Sequence, residues 1–322
     1  MVQIQICEDP TECAHVWKKS WPKECFFDLW EVRNCFASSY KRQPYFLLAK
    51  KGEKIEGILA LSRIEESESF AHFPGETWQG KTWLEQNKIP VKSSQILDEL
   101  INSIPGPTHL RYLTHDSVPI KNTPVAVDEV GYLFFPGAYK FSFQSYLEEF
   151  SGKSRKKITR EIAELEKYGV SYRYNHTDDI NLLFRMNLES YRDLSYFYDP
   201  SFLESFEKLV VWLHQKKMLR TTTLLLGGTI AAVDIGAIWN NSYTLLAGAT
   251  NPEFRGVAKM MNFYHLEWSC LNHLDVVDFL CGDFGWKKRF HLVARPLYEM
   301  NISPKCPTIH ESASFLINVN EQ

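Results

Sequence analysis

One stretch of the sequence, residues 219–301, constrains the fold more than any other. It contains three strand-like segments, LRTTTLLL, TIAAVDIGAIW and SYTLLAGAT, joined through Gly227-Gly228 and Asn240-Asn241. Glycine and asparagine tolerate the positive φ angles of tight hairpin turns, so an antiparallel meander is predicted. A glycine-containing loop, NPEFRG, then leads into a helix, a strand at 276–280, a short basic helix and a last strand around RPLYEMNI. This order predicts a mixed sheet flanked by helices.

The composition favours a globular protein without an overall charge bias. The chain has 322 residues, 44% of them hydrophobic, and its 36 Lys and Arg are balanced by 39 Asp and Glu. Balanced charge provides no whole-chain field for nucleic acid or an anionic membrane, so any basic surface must be local. The seven cysteines include no Cys-x-x-Cys pair, which fits a reducing compartment better than a disulfide framework or a zinc site.

Two further features lead us to expect a cytoplasmic protein without a transmembrane segment. The first residues, MVQIQICEDP, lack the basic and apolar regions of a secretory signal. The longest apolar region, LLLGGTIAAVDIGAIW, is interrupted by Gly227, Gly228 and Asp234. Such interruptions favour paired strands over a membrane helix of about 20 residues.

The first half of the sequence indicates mixed α and β structure. CFFDLWEVRNCF and SSQILDELINSI predict helices, PYFLLAKKGEKIEGILALSRI predicts a hairpin turning at Lys51-Gly52-Glu53, and THLRYLT predicts a strand. The second half opens with the helical SGKSRKKITREIAELEKYG, in which Gly169 is placed to end the helix. The strand VSYRY and two helices then lead to the meander. We place a domain boundary near residue 140, between domains at 1–140 and 141–322.

The element order from residue 219 resembles that of the GNAT superfamily of N-acyltransferases. FRGVAKMM is similar to the superfamily's Arg/Gln-x-x-Gly-x-Gly/Ala signature, with Gly256 and Ala258 at the small positions. The chain departs at the first position, which is Glu253, and its arginine follows two residues later. Backbone N–H groups at such a helix start would bind the pyrophosphate of coenzyme A. The resemblance thus implies a cofactor site at Ala249, Thr250, Arg255, Gly256, Val257, Ala258 and Lys259.

Four blocks within residues 150–290 look like those of the cellulose-biosynthesis-associated (CelD-type) acetyltransferases, relatives of the Fem-type peptidoglycan aminoacyl ligases. They are SGKSRKKITREIAELEKYG, GGTIAAVDIGAIW, GATNPEFRG and VDFLCGDFGWKK. Fem-type proteins contain two such folds in tandem, so the resemblance implies an α/β (α+β) fold of tandem GNAT-like domains. Because no glycine phosphate loop precedes residue 140, the first copy is expected to be degenerate and to shape the acceptor side of the cleft. Trp286 replaces the usual tyrosine, and an indole is not a practical acid.

The chemistry of acyl transfer to an amine suggests where the reacting groups lie. It needs a deprotonated amine, a polarised thioester carbonyl and a proton for the leaving thiolate. We expect a strand amide within 247–250 to polarise the carbonyl. Asp283, just past a strand end, is a candidate base, with turn capping as the alternative. Asp278, Glu189 and Asp234 are further candidates, although a buried Asp278 needs a partner and Glu189 could equally lie on a solvated helix face.

Two basic regions complete the candidate site. Trp286 and Lys287, with Arg192, are expected to border the acceptor or the cofactor phosphates. A basic run also opens the helix that begins near residue 152, where positive charge opposes the helix dipole and attracts an anion. That anion could be a coenzyme A phosphate, a phosphorylated or polysaccharide-linked acceptor, or a tRNA, and a solvated surface is the alternative. The run consists of Lys153, Arg155, Lys156, Lys157 and Arg160.

These features predict an N-acyltransferase that uses acetyl-CoA or another acyl-CoA and no metal. The acceptor would be a small-molecule or cell-envelope or polysaccharide-precursor amine. Two alternatives stay open. One is aminoacyl transfer from charged tRNA, which the lack of a long heptad insertion disfavours, and the other is a non-catalytic binding module, which the departures at Glu253 and Trp286 would fit. A Ser-His-Asp hydrolase is disfavoured because no Gly-x-Ser-x-Gly elbow occurs. The acceptor, the acyl chain length, the general base and the oligomeric state are not readable from the sequence.

Overall fold

The computed structural model describes residues 2–117, 125–282 and 284–303. Its strands are β1 (Gln3–Cys7), β2 (Pro44–Lys51), β3 (Lys54–Ile64), β4 (Ser69–His72), β5 (Thr108–Leu113), β6 (Val125–Phe134), β7 (Val170–Tyr174), β8 (Leu219–Leu226), β9 (Thr229–Trp239), β10 (Ser242–Thr250), β11 (Val276–Cys281) and β12 (Val293–Ile302). Its α-helices are α1 (Pro10–Ser20), α2 (Trp30–Tyr40), α3 (Ser94–Asn102), α4 (Phe143–Leu147), α5 (Gly152–Glu166), α6 (Asp178–Tyr191), α7 (Pro200–Gln215), α8 (Val257–Leu271) and α9 (Gly285–Arg289).

The strands form one mixed sheet in the order β1-β2-β3-β4-β5-β12-β6-β11-β10-β9-β8-β7. Within the described ranges, neighbouring strands are antiparallel except at β4–β5 and β10–β11, which are parallel. Helices cover the sheet, and their apolar faces form clusters with it. The first such cluster joins residues of α2, α6 and α7 to β8, β9 and β10. The predicted mixed sheet flanked by helices is confirmed.

The two halves of the chain repeat the same order of elements. The series β1, α1, α2, β2, β3, β4, α3, β5 corresponds one for one to β7, α6, α7, β8, β9, β10, α8, β11. Each half also has its parallel pair at the same step, β4–β5 in the first and β10–β11 in the second. This internal repeat is the tandem arrangement that the sequence resemblance implies.

The two halves exchange their last strands. β6 from the first half pairs with β11 of the second, and β12 from the second half pairs with β5 of the first. β6 and β12 also pair with each other at the centre, in a register that runs from Val293↔Leu133 to Met300↔Val125. The sheet is continuous across the two halves, and the domain boundary near residue 140 stays a prediction.

An aromatic cluster packs the two halves against each other on one face of the sheet. The ring of Trp83 stacks on Phe36 of α2 at a centroid distance of 5.4 Å. The same ring makes edge contacts with Phe202 and Phe206 of α7, at 5.8 and 5.6 Å. Buried aromatic pairs contribute both area and a preferred geometry, so this cluster fixes α2 of the first half against α7 of the second.

The predicted elements and the observed ones agree best in the second half. The meander segments coincide with β8, β9 and β10. The helix predicted over CFFDLWEVRNCF is instead a 3-10 turn at Phe26–Asp28 followed by α2, because Leu29 is extended (φ −75°, ψ 126°). The Asp28 carboxylate stabilises that break by accepting from the amides of Glu24 and Cys25. Periodicity did not indicate β1, α1, β4 or β6. In the described residues, no helix is both long and apolar enough to cross a membrane.

The strand exchange makes a prediction about fragments. Residues 141–322 expressed alone should not fold cooperatively, because removal of β6 leaves both β11 and β12 without their central neighbour and exposes apolar strand edges. Size-exclusion chromatography and a two-dimensional amide NMR spectrum measure this. Co-expression with residues 1–140 should restore a dispersed spectrum, and a dispersed spectrum from 141–322 alone would contradict the prediction.

Candidate functional site

The central feature of the second half is a gap between two parallel strands. β10 and β11 pair only over the three positions that end at Thr244 and Asp278. Beyond that point β11 remains paired with β6 on its other edge. β10 continues along β9, with a register shift between Leu245 and Ala247. A bulge bends its strand and increases the local twist. The two strands therefore diverge, and the β10 edge from Leu245 onward has no pairing to β11.

A cavity of about 760 Å³ occupies this gap. Residues 245–250 of β10 form one wall and residues 279–282 at the end of β11 form another. Its volume lies within the range of small-molecule sites, about 300–1,000 Å³. The first half of the chain closes the other end, through Lys81, Thr82, Trp83, Glu85, Arg111, Tyr112 and Glu129.

The glycine loop lies at the start of α8, beside the cavity. Gly256 is the N-cap of α8 and has a φ of 91°, a left-handed conformation that favours glycine. Within the described part of the chain, the backbone amides of Arg255, Gly256 and Ala258 donate no hydrogen bond. Unpaired amides at a helix start carry partial positive charge and suit an anion.

The other residues expected at the cofactor site have different surroundings. Ala249, Thr250 and Ala258 line the cavity. Val257 is buried in the core under α8. The Arg255 side chain is exposed. Lys259 forms an ion pair with Glu161 of α5, so its charge is already partnered.

A second cavity, of about 900 Å³, adjoins the first between α5, α8 and α9. The two share Ala258, Asn262 and Trp286 in their walls. Lys157, Lys259 and Arg289 line the second cavity. The two cavities therefore adjoin along the start of α8, and basic side chains border the second one. All five side chains of the basic run are exposed, and among them Lys157 lines this cavity.

Lys287 is among the residues that line the main cavity, and its side chain turns into the fold. It is 3% exposed, and its Nζ donates to the carbonyl oxygens of Phe279, Leu280 and Cys281 at 2.9, 2.8 and 2.8 Å. Leu280 has a φ of 56°, so the end of β11 is irregular and its carbonyls need donors from outside the ladder. Burial lowers the pKa of Lys287. The lysine holds the strand end that forms the cavity wall.

Asp278 is buried and fully engaged. Its carboxylate accepts from Gln86 Nε2 at 2.9 Å, from Arg295 Nη1 at 3.0 Å and from the Leu280 amide at 2.9 Å. The need for a partner, foreseen from the sequence, is met by Arg295 and by a side chain from the first half. Asp278 is not one of the described residues that line the main cavity.

Glu85 is a cavity residue that no sequence pattern singled out. Its Oε1 accepts from the Cys281 amide at 2.7 Å, and its Oε2 lies 3.7 Å from Arg295 Nη2. Within the described residues, Oε2 is buried without a hydrogen-bond partner. Burial, with the nearby charge of Asp278, raises the pKa of Glu85 to about 7, and Arg295 opposes this. A glutamate in the otherwise apolar and amide-rich TWLEQNKIP is the only signal that the sequence offered.

The remaining candidates divide between the cavity and the surface. Glu189 and Arg192 are exposed, and neither is among the described residues that line the cavity. Asp283 lies outside the described residues. Asp234 lines the cavity, and its Oδ2 lies 2.9 Å from His265 Nε2. Gly248 makes room for that carboxylate, since a Cβ there would come within 2.3 Å of Asp234 Oδ1.

Within the described ranges, no group of three or more His, Cys, Asp or Glu side chains is arranged to hold a metal ion.

Solved structures share this fold over nearly the whole chain. FemX superposes with a TM-score of 0.57 at 11% identity, over 93% of this chain and 97% of FemX. L-PGS from Bacillus licheniformis gives 0.57 at 9% identity, over 94% of each chain. A conserved protein of unknown function from Bacteroides thetaiotaomicron gives 0.53 at 12% identity, over 94% of this chain and all of that one. No curated protein sequence matches this chain.

The second half also matches a family model directly. The model describes an acetyltransferase (GNAT) domain and covers residues 152–288. That range contains the meander, the strand gap, the glycine loop and all of α9 except its last residue. The family model agrees with the resemblance seen in the sequence: residues 152–288 match an acetyltransferase (GNAT) domain.

Proposed function

We propose that this protein is an acyl-CoA-dependent N-acyltransferase, with acetyl-CoA as the expected co-substrate. The observation that carries the proposal is the divergence of β10 from β11, with a positive-φ glycine and unpaired amides at one end of the opening. An extended thiol arm needs a narrow slot, and a pyrophosphate needs convergent N–H donors. The strand gap would supply the slot, and the amides at the start of α8 would supply the donors.

The geometry suggests how an acyl-CoA would bind. The pantetheine arm would occupy the gap beside residues 245–250, and the amides of Arg255, Gly256 and Ala258 would bind the pyrophosphate. The nucleotide phosphates would face the second cavity, where Lys157 and Arg289 lie. The open edge of β10 would present a backbone N–H to the thioester carbonyl, and such a donor stabilises the oxyanion that forms during attack.

The first half would form the acceptor side. It lines the far end of the cavity with carboxylates and aromatic rings, including Glu85, Glu129, Trp83 and Tyr112. Carboxylates attract an ammonium group, and aromatic faces pack against the rest of an acceptor. These features support an amine acceptor. The finer predictions, a cell-envelope or polysaccharide-precursor amine and membership of the CelD-type branch, stay predictions.

A binding and turnover experiment tests the proposal. Calorimetry with acetyl-CoA should give a saturable heat, and incubation with a panel of amines and amino sugars should release free thiol. Binding without thiol release from any amine would favour the binding module. Activity that requires aminoacyl-tRNA and is lost on nuclease treatment would favour the tRNA-dependent alternative.

Gly256→Ala should weaken coenzyme A binding about 10-fold. A side chain at a left-handed φ costs roughly 1–2 kcal/mol, and relief of that strain would turn the loop amides away from the phosphates. Titration calorimetry measures the change. Gly52→Ala is the matched control, because Gly52 also has a positive φ (61°) and an open surrounding, but lies in the β2–β3 turn. Equal binding by Gly256→Ala and the wild type would contradict the phosphate assignment.

Replacing two basic residues of the second cavity tests the nucleotide end. The Lys157→Ala, Arg289→Ala double variant should bind coenzyme A about 5-fold more weakly at low ionic strength, and the difference should shrink at high salt because exposed charges are screened. Lys153→Ala with Arg160→Ala serves as the control, since these residues carry the same charge on α5 but are not among the described residues lining that cavity. If both double variants lose affinity equally, the effect is only general surface charge.

A further inference from the structure

The first half contains the same strand opening as the second, but there it is filled. β4 and β5 pair in parallel only at Phe70↔Thr108 and Ala71↔His109. Past that point, residues 84–88, which we call the plug, run beside β5. The Asn87 amide donates to the Tyr112 carbonyl at 2.9 Å, and the Asn87 carbonyl accepts from the Thr114 amide at 2.9 Å. The position that would receive a thiol arm in the first half is thus occupied by its own chain.

Buried polar contacts hold the plug in place. Lys88 Nζ lies 2.6 Å from Asp28 Oδ2, and the Lys88 carbonyl contacts His72 Nε2 at 3.0 Å. Arg33 is fully buried and donates to the carbonyls of Phe27 and Phe73, at 2.7 Å each, next to the plug. Buried charges are costly unless they are paired, so the plug has one well-defined position.

The plug reaches into the second half through two adjacent side chains. Gln86 donates to Asp278, and Glu85 accepts from the Cys281 amide, so both bind the end of β11. Glu85 also lines the main cavity, at the junction of its cofactor and acceptor walls. Of the two Glu85 carboxylate oxygens, Oε2 has no hydrogen-bond partner in the described chain.

We propose that Glu85 accepts the proton of the acceptor amine, so that the first half supplies the proton acceptor for the reaction of the second half. This inference rests on the proposed function. The carboxylate takes one proton from the ammonium group. The amine lone pair then attacks the thioester carbonyl and forms the C–N bond, and the C–S bond breaks with its electron pair on sulfur. The second N–H proton neutralises the thiolate, and the proton on Glu85 passes to solvent.

The surroundings of Glu85 suit this role. A general base works best when its pKa is near the working pH, and burial together with Asp278 raises the pKa of Glu85 to about 7. Arg295 limits the rise. The charged and titratable groups that face Glu85 are Asp278 and Cys281 from β11, Arg295 from β12, Lys287 from α9, Tyr112 from β5 and Tyr196 from the loop before α7.

Asp234 is the competing carboxylate in the cavity. Its Oδ2 is already bound to His265, which is buried in the second-half core. Asp278 is the other acidic neighbour, and its carboxylate is bound to Gln86, Arg295 and the Leu280 amide in the protein interior. Glu85 differs from Asp278 because it lines the cavity, and it differs from Asp234 because its carboxylate is not paired with a histidine.

The Glu85→Gln variant tests the inference. Glutamine retains an oxygen for the Cys281 amide but cannot accept a proton. We expect unchanged acetyl-CoA binding by calorimetry and a loss of about 10²- to 10⁴-fold in kcat, the usual contribution of general acid–base catalysis. In the wild type, kcat/KM should rise with pH as Glu85 ionises near pH 7, and this acid limb should vanish in the variant.

Asp278→Asn provides a second readout that a structural role would not give. Removing its negative charge lowers the pKa of Glu85, so the acid limb should move to lower pH while remaining visible. The inference would be wrong if Glu85→Gln kept its full kcat and the acid limb of its pH profile. It would also be wrong if Asp234→Asn lost the acid limb instead. Either result would leave the proposed function standing. A wild type that binds no acyl-CoA, or that releases thiol with no amine, would overturn the proposed function and this inference with it.

Discussion

The divergence of β10 and β11 is the constraint on which the candidate site depends. β11 pairs with β10 only as far as Asp278, while its other edge stays paired with β6, a strand from the other half of the chain, as far as Cys281. The register shift between Leu245 and Ala247 bends β10 along β9. Each strand therefore keeps its outer partner while the two inner edges separate.

The comparison of the two halves shows how one topology gives two outcomes. In the second half no described segment of the chain fills the opening, and a glycine loop follows β10 at the start of α8. In the first half α3 begins at an ordinary serine cap, Ser93, and the opening holds the plug. A filled opening cannot accept a thiol arm, but its backbone is rigid. A rigid segment that ends beside a cavity is a suitable support for side chains such as Glu85 and Gln86.

Charge in this protein is local, and much of it faces inward. Positive and negative charges are nearly balanced over the whole chain. Inside the protein, Lys287 donates hydrogen bonds to three carbonyl oxygens. Arg295 pairs with Asp278 and Glu85, and Lys88 pairs with Asp28. The basic cluster after β11 therefore has two functions. Lys287 stabilises the cavity wall, and Arg289 faces the second cavity.

The helices and strands of the second half could be predicted from the sequence. Its turn residues, Gly227-Gly228 and Asn240-Asn241, and its alternating apolar strands are local signals, so the meander and α8 could be predicted from short windows. The glycine at the left-handed helix start is local in the same sense. The order of the strands in the sheet could not be predicted from such local signals, because pairs such as Val293 and Leu133 join segments far apart in the chain. For the same reason only the tertiary structure decided the site chemistry: Glu85 becomes a perturbed cavity carboxylate only when the plug meets the end of β11, and Lys287 is buried only because that strand end needs donors.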